Sequence, residues 1–497
     1  MGRSISQFDI GQFEDYVAAL MEKTKVPGVG VGISVEGHLE YFKGFGVSDI
    51  EKNQPVDEDT VFGLASVTKS FTALAINHLV EKGKICLFHP VKRYLPEFKL
   101  PVSGQEGKIT IHNFLTHTSG IPPLPSLGYV NALSIPLDEL LKRPGTSGAA
   151  SWKTSTDDAS ANASQAKSKD NTSGGPEIRT NRDLLEFIAT YNFQLLGEPG
   201  QYVSYSNDCY SLLGEVIERV SGTSYERYLR EHIWDPLGMD HTFIDVRRVY
   251  DFERVQSLYY KNDNGEIVKA QWKHRDAFVS SGSIKSSVRD LLRYMDIYLN
   301  GGTANGKKIC EKVTVDRMIT PYYPLEDGTC YSYGFVVRPA YTDDTTLIHH
   351  GGNIVGVASY IGFIPEKKMS FAVLSNLSGF PADKVFFAAV NLALGLPLQY
   401  QELNMPTVEV PREHLQKFAG RYVSGEGMEV TFVIEGEHLF AVLAENKRNK
   451  IYPVRPTGLN SVCIDRDGRD TPVFFLFEPQ GNVWAIRYGL RLVRKVQ

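Results

Sequence analysis

Phe13, Val17 and Leu20 recur at helical spacing near the start of the chain, so the opening segment reads as an amphipathic helix. The period then changes. In "PGVGVGISVEGHLEYFKGFGVSD" β-branched and alternating apolar residues flank Glu36-Gly37, which predicts a β-hairpin. Phe71, Leu74, Ala75 and Leu79 restore helical spacing in "GLASVTKSFTALAINHLVEKG", with Gly83 placed to stop the helix. Helical patterns return at "NRDLLEFIATY" and "LLGEVIERVSGTSYERYLREHIW". Strand patterns follow at "YGFVVRP", "TTLIHHGG", "ASYIGFIPE" and "MSFAVLSN". Helices before and after strand pairs predict an antiparallel α+β domain over residues 1–400. The Pro-punctuated residues 401–416 read as a linker, and the short strands and turns of 417–497 as a small β-barrel.

One stretch breaks the pattern. Across residues 143–180 Ser, Thr, Ala, Asn, Asp, Gly and Lys dominate, and Trp152 is the only large apolar residue between Pro144 and Pro176. It reads as a low-complexity insertion that is disordered or mobile. Elsewhere, a 42% hydrophobic chain of 497 residues supports a substantial core. Fifty-three basic against 58 acidic side chains give a net charge of -5, which leaves no electrostatic footprint for nucleic acid or an anionic membrane. The five cysteines (Cys86, Cys209, Cys310, Cys330 and Cys463) lack C-x-x-C spacing and read as reduced thiols that suggest neither a zinc site nor a disulfide framework; no metal and no cofactor are expected. With no signal-peptide core and no long apolar run, a cytoplasmic location is the expectation, and a homo-oligomer is left open.

Candidate chemistry begins with Ser66 and Lys69. On a helix, residues three apart share a face, so the amine can reach the hydroxyl and act as its base if it is partly neutral. A helix-capping serine with an exposed lysine is the plain alternative. The spacing occurs twice, but Ser164 and Lys167 lie inside the insertion, where no fixed geometry activates a nucleophile. Tyr-x-Asn occurs four times, and only Tyr205-Ser206-Asn207 follows a Pro-Gly turn and precedes a helix. "IHHGGNIVG" then offers His349, Gly351 and Gly352 on a strand edge.

These three motifs in this order, together with "ITIHNFLTHTSGIP", "EHIWDPLGMDHT" and "SSGSIKSSVRDLLRYM", resemble the serine β-lactamase-related family. That family includes class C β-lactamases, penicillin-binding D-peptidases, D-aminopeptidases and esterases. The resemblance covers roughly residues 10–395, and "FAGRY" onward resembles the lipocalin-like barrels of some relatives. It implies a β-lactamase/transpeptidase-like fold and an acyl-enzyme on Ser66. Lys69 and Tyr205 would share the proton traffic, with Tyr205 the final base and the donor to the leaving group. Asn207 would bind the substrate amide, and the Ser66 and Gly352 N–H groups would hold the oxyanion. A lysine usually opens the third motif; here His349 stands in its place, a weaker anion anchor. The expected function is therefore hydrolysis of a small amide, short peptide or ester. The alternatives are a weak β-lactamase, a penicillin-binding protein acylated with little turnover, and a non-catalytic sensor. The insertion, bordering the cleft in this fold, is expected to act as a flap or to be a plain insertion.

Overall fold

The computed structural model describes residues 9–101, 104–142, 176–400, 405–445, 448–466 and 470–496. Most of the low-complexity stretch, residues 143–175, lies outside the described residues. Helix α1 (Ile10–Thr24) starts at Asp9, whose carboxylate accepts from the Gln12 N–H and so satisfies a donor that a helix start leaves open. It buries Phe13 and Val17, with Leu20 packed at the edge of the same core.

Strands β1 (Gly28–Val35) and β2 (His38–Asp49) form the expected hairpin. They join β3 (Gln54–Pro55), β4 (Tyr323–Pro324), β5 (Cys330–Tyr331), β6 (Val336–Thr342), β7 (Thr345–Ile354), β8 (Val357–Ile364) and β9 (Met369–Ser375). The nine strands run in the order β4-β5-β6-β7-β8-β9-β1-β2-β3, every pair antiparallel. Pairing of β1 with β9 brings the first strands of the chain beside strands more than 300 residues later.

Both faces of β1 are covered, which explains why it carries no polar alternation. Val29, Val31 and Ile33 pack with α1 and with α6 (Ala382–Leu394). On the opposite face α2 (Thr68–Glu81), α3 (Asn181–Thr190), α4 (Asn207–Ser221) and α5 (Val288–Leu299) build the larger core. Helix α2 lies inside that core, with every residue from Thr68 to Asn77 buried. Its polar members bond inward: Ser70 Oγ donates to the Val67 carbonyl at 2.9 Å, and Thr72 Oγ1 to the Ser280 carbonyl at 2.6 Å. Phe71 stacks on Tyr294 of α5 with ring centroids 3.8 Å apart, locking α2 against the layer that covers the sheet.

The C-terminal strands close into an eight-stranded antiparallel barrel. They are β10 (Gly420–Val423), β11 (Glu429–Glu435), β12 (His438–Glu445), β13 (Arg448–Gly458), β14 (Ser461–Asp465), β15 (Asp470–Phe477), β16 (Val483–Tyr488) and β17 (Arg491–Val496). Pairing of β10 with β17 removes the free edges that short hairpins would otherwise expose. Phe418, at the end of a short helix (Arg412–Phe418), stacks on Phe475 at 3.9 Å and fills the barrel interior. The barrel is hydrogen-bonded directly to the segment entering α4. Tyr205 N–H donates to the Leu490 carbonyl at 2.9 Å, Leu492 N–H to Ser204 Oγ at 3.2 Å, and Arg487 to the Val203 carbonyl at 2.8 Å.

Candidate active site

Ser66 sits in a single tight turn, Ala65–Val67, immediately before α2. Ala65 holds φ at 46°, a left-handed conformation that is unfavourable for a residue with a Cβ. Neighbouring bonds hold the turn: Leu64 N–H donates to the Ile284 carbonyl at 2.9 Å, and the Leu64 carbonyl accepts from Ser359 Oγ at 2.7 Å. Ser66 is partly exposed, whereas Lys69, one helical turn on, is completely buried.

The Lys69 amine lies 3.3 Å from Ser66 Oγ, 2.8 Å from Asn207 Oδ1 and 2.8 Å from the Ser281 carbonyl. None of these partners is charged. Burial, and then the nearby Arg491 guanidinium, hold the amine well below the usual lysine range. A neutral amine has two N–H bonds and one lone pair. In that form Asn207 Oδ1 and the Ser281 carbonyl would take the two hydrogens, and the lone pair would face the Ser66 hydroxyl.

Ser206 caps α4 through a 3.2 Å bond from Cys209 N–H to its Oγ, which sets Tyr205 and Asn207 on either side of the helix start. The Lys69 amine lies 4.7 Å from the centre of the Tyr205 ring. Burial raises the pKa of the phenol, and proximity of the Ser66 hydroxyl opposes part of that rise. The Tyr205 hydroxyl makes no well-formed hydrogen bond among the described residues, so a buried proton donor waits beside the serine.

Strand β7 requires a correction. His349, the expected cleft-facing histidine, packs away from Ser66 against Phe386 and Phe387, with Nδ1 3.0 Å from the Tyr360 hydroxyl. Strand residues alternate faces, and it is His350 and Gly352 that share the face toward Ser66. A Cβ on Gly352 would lie 2.8 Å from Ser66 N and collide with the Leu64 carbonyl. A Cβ on Gly351 would strike the Tyr360 ring instead. His350 belongs to a chain of hydrogen bonds whose directions are fixed. Ser206 N–H donates to His117 Nδ1 at 3.1 Å, so His117 Nε2 carries the proton it gives Tyr331 at 3.0 Å. Tyr331 in turn faces His350 Nε2 at 3.4 Å, and His350 Nδ1–H donates to the Gly351 carbonyl at 2.7 Å. Burial, then Lys69, pull the His350 pKa down to about 3, so this ring is neutral.

A family profile described as Beta-lactamase matches residues 13–394. The chain belongs to the β-lactamase family. It is 24% identical over 386 residues to the Beta-lactamase of Escherichia coli (strain K12), covering 72% of this chain and 86% of that relative. It is 24% identical over 368 residues to Protein flp of Staphylococcus aureus (strain MW2), across 74% of this chain and 63% of that protein's length. Among solved structures, the octameric penicillin-binding protein homologue from Pyrococcus abyssi is 28% identical with a TM-score of 0.65, covering 98% of this chain and all of that one.

In this β-lactamase-family chain the barrel adds charge to the cleft. Asn207 Nδ2 donates to Glu426 Oε1 at 3.3 Å, and the other Glu426 oxygen pairs with Arg491. The Arg491 guanidinium lies 5.1 Å from the centre of the Tyr205 ring. Neither residue belongs to any motif, and the hairpin turn "SGEG" around Glu426 carries no local mark of chemistry. Ser281 lies within the stretch "SSGSIKSSVRDLLRYM", but its contact with Lys69 runs through the backbone carbonyl, which side-chain identity does not mark. Asp208 lies one residue beyond Asn207, fully buried, and accepts a hydrogen bond from Ser126 Oγ. Burial raises its pKa from 3.8 to about 7, with the Ser126 bond opposing the rise and Glu426 adding to it.

That carboxyl makes stability fall with pH. Between its unfolded pKa of 3.8 and its folded value of about 7 the native state binds the extra proton, so stability declines as pH rises through this window. The slope is at most about 1.4 kcal/mol per pH unit. Asp208→Asn is expected to remove this component. Denaturant titrations of both proteins between pH 5 and 8 check it: the difference between wild type and variant must change with pH in that direction.

Proposed function

We propose that this chain is a serine hydrolase that acylates Ser66 and hydrolyses a small amide, a short peptide (D-amino-acid peptides included) or an ester. The observation that carries this reading is the Lys69 amine, 3.3 Å from the Ser66 hydroxyl and with its other two contacts made to hydrogen-bond acceptors. In the first step Lys69 takes the Ser66 proton as Oγ attacks the substrate carbonyl carbon. The resulting oxyanion is held by the Ser66 N–H and the β7 backbone at Gly352. Breakdown expels the leaving group, which takes the Tyr205 proton, and transfer of the proton from Lys69 to Tyr205 resets both. Lys69 is thus the first base and Tyr205 the acid, because burial favours the neutral form of each. Water then enters as the second nucleophile, and the same groups carry its proton to Ser66.

A second reading, slow deacylation of a penicillin adduct, is favoured by the likeness to the penicillin-binding protein homologue. Intact mass and turnover separate the two after incubation with a chromogenic ester, a D-amino-acid anilide and a penicillin. The expected outcome is turnover of the ester or anilide. A persistent adduct on Ser66 without turnover establishes the second reading. Ser66→Ala is expected to abolish both turnover and adduct, and Ser164→Ala to change neither.

Gly352→Ala places a methyl group against the Ser66 N–H and the Leu64 carbonyl. Loss of one oxyanion donor typically costs about 3–4 kcal/mol, so kcat is expected to fall on the order of 10²–10³ with KM little changed. Steady-state kinetics on the ester measure it.

The barrel residues give a signed pH test. Arg491 lowers the Lys69 pKa and Glu426 raises it. Arg491→Gln is therefore expected to move the acidic limb of the kcat/KM profile to higher pH, and Glu426→Gln to move it to lower pH. Shifts of the same sign in both variants overturn the assignment of that limb to Lys69.

A further inference from the structure

Burial disfavours the charged forms of Lys69 and His350, which leaves the guanidinium groups to carry positive charge in the cleft. Arg491 is matched by Glu426. Among the described residues Arg275 has no such match. It precedes the turn Val279–Gly282 that gives its Ser281 carbonyl to Lys69. Its hydrogen bonds all go to neutral oxygens: Nε to Ser283 Oγ at 3.3 Å, Nη1 to Asn131 Oδ1 at 3.2 Å and Nη2 to the Gly282 carbonyl at 3.5 Å. Among the described residues no carboxylate comes within ion-pairing distance of it. Burial accordingly pulls the guanidinium down to about 10.

A guanidinium offers five donors in a planar fork that matches a carboxylate, and three long bonds to neutral oxygens leave two N–H groups and the whole charge unmatched. Its place is near the nucleophile turn. A Cβ on Gly282 would lie 3.7 Å from Arg275 Nη2 and 3.8 Å from the Ala65 carbonyl, so the fork and the residue that precedes Ser66 both border Gly282, and the Arg275 charge acts on Lys69. Ala65 clusters with Leu258 and Val357, and the partly buried Trp272 and Ile354 pack against that cluster, which makes this end apolar. Tyr205, the proposed donor to the leaving group, touches Arg491 and the barrel instead.

Resting on the hydrolase reading above, we infer that Arg275 anchors a carboxylate on the acyl part of the substrate. The preferred substrates are then amides or esters of an acyl group with an apolar stem and a terminal negative charge. Arg275 is a specificity-determining residue that takes the role left open by the neutral His350.

Glutaryl 4-nitroanilide and its glutaramoyl analogue differ only in that terminal charge. Wild type is expected to favour the glutaryl compound in kcat/KM by about tenfold or more, the worth of one charged hydrogen-bonded pair. Arg275→Gln should bring the ratio close to one, and Arg275→Lys should recover part of the preference, which a structural defect would not. The inference is overturned by a wild-type ratio near one, by an unchanged ratio in Arg275→Gln, or by loss of the ratio in Arg491→Gln alone. Calorimetry on Ser66→Ala with both anilides tests the anchor without chemistry and is expected to show the same charge preference. Preferential binding without cleavage by wild type would sink the hydrolase reading and keep the anchor; cleavage without preference would do the reverse.

Discussion

The cleft depends on an amine taken out of water without a carboxylate to keep it charged. Lys69 meets an amide oxygen, a backbone carbonyl and a hydroxyl, all neutral. An acid at the position of Asn207 would restore the charge and remove the lone pair that faces Ser66. Much of the helical lobe serves this condition. Helix α2 is buried on every side, the turn Val279–Gly282 brings the Ser281 carbonyl against it, and the cap at Ser206 fixes where Asn207 starts α4. The strained backbone at Ala65 belongs to the same arrangement, because it presents Ser66 at the surface while Lys69 stays inside.

What was legible in the sequence follows from the range of the physics involved. Ser66 and Lys69 are joined by local helix geometry, and the turn, cap and helix around Tyr205 and Asn207 are local signals too. The α+β fold and the barrel were legible from alternating and helical periods, and both are present. His349 was misplaced because "HHGG" carries no phase: two adjacent histidines on a strand differ only by which face each takes. Gly352 sets that phase through its contact with Ser66 N and the Leu64 carbonyl, nearly 290 positions away in the chain. The contact exists only once β7 lies beside the nucleophile turn.

Glu426, Arg491 and Arg275 escaped for a related reason. Each is an ordinary charged residue in a turn or loop, and its meaning lies in what the fold places beside it. For Arg275 the informative feature is that no acid among the described residues pairs with it, which no linear pattern records. For Glu426 and Arg491 it is docking of the barrel through backbone hydrogen bonds, such as Tyr205 N–H to the Leu490 carbonyl, which leave no trace in side-chain identity.

The barrel's influence on the cleft runs by two routes that meet at one tyrosine. Electrostatically, Arg491 and Glu426 act on Lys69 with opposite signs, so their pairing sets one influence against the other. Mechanically, Leu490, in the turn between β16 and β17, packs on the rim of a small cluster that contains Val203 and Tyr331. Tyr331 is the middle of the chain from His117 to His350, and that chain orients the histidine facing Ser66. The turn that positions Arg491 over Tyr205 therefore also packs beside the tyrosine that fixes His350. Charge and orientation in this cleft are thus set together, by a segment lying beyond the residues that define the family.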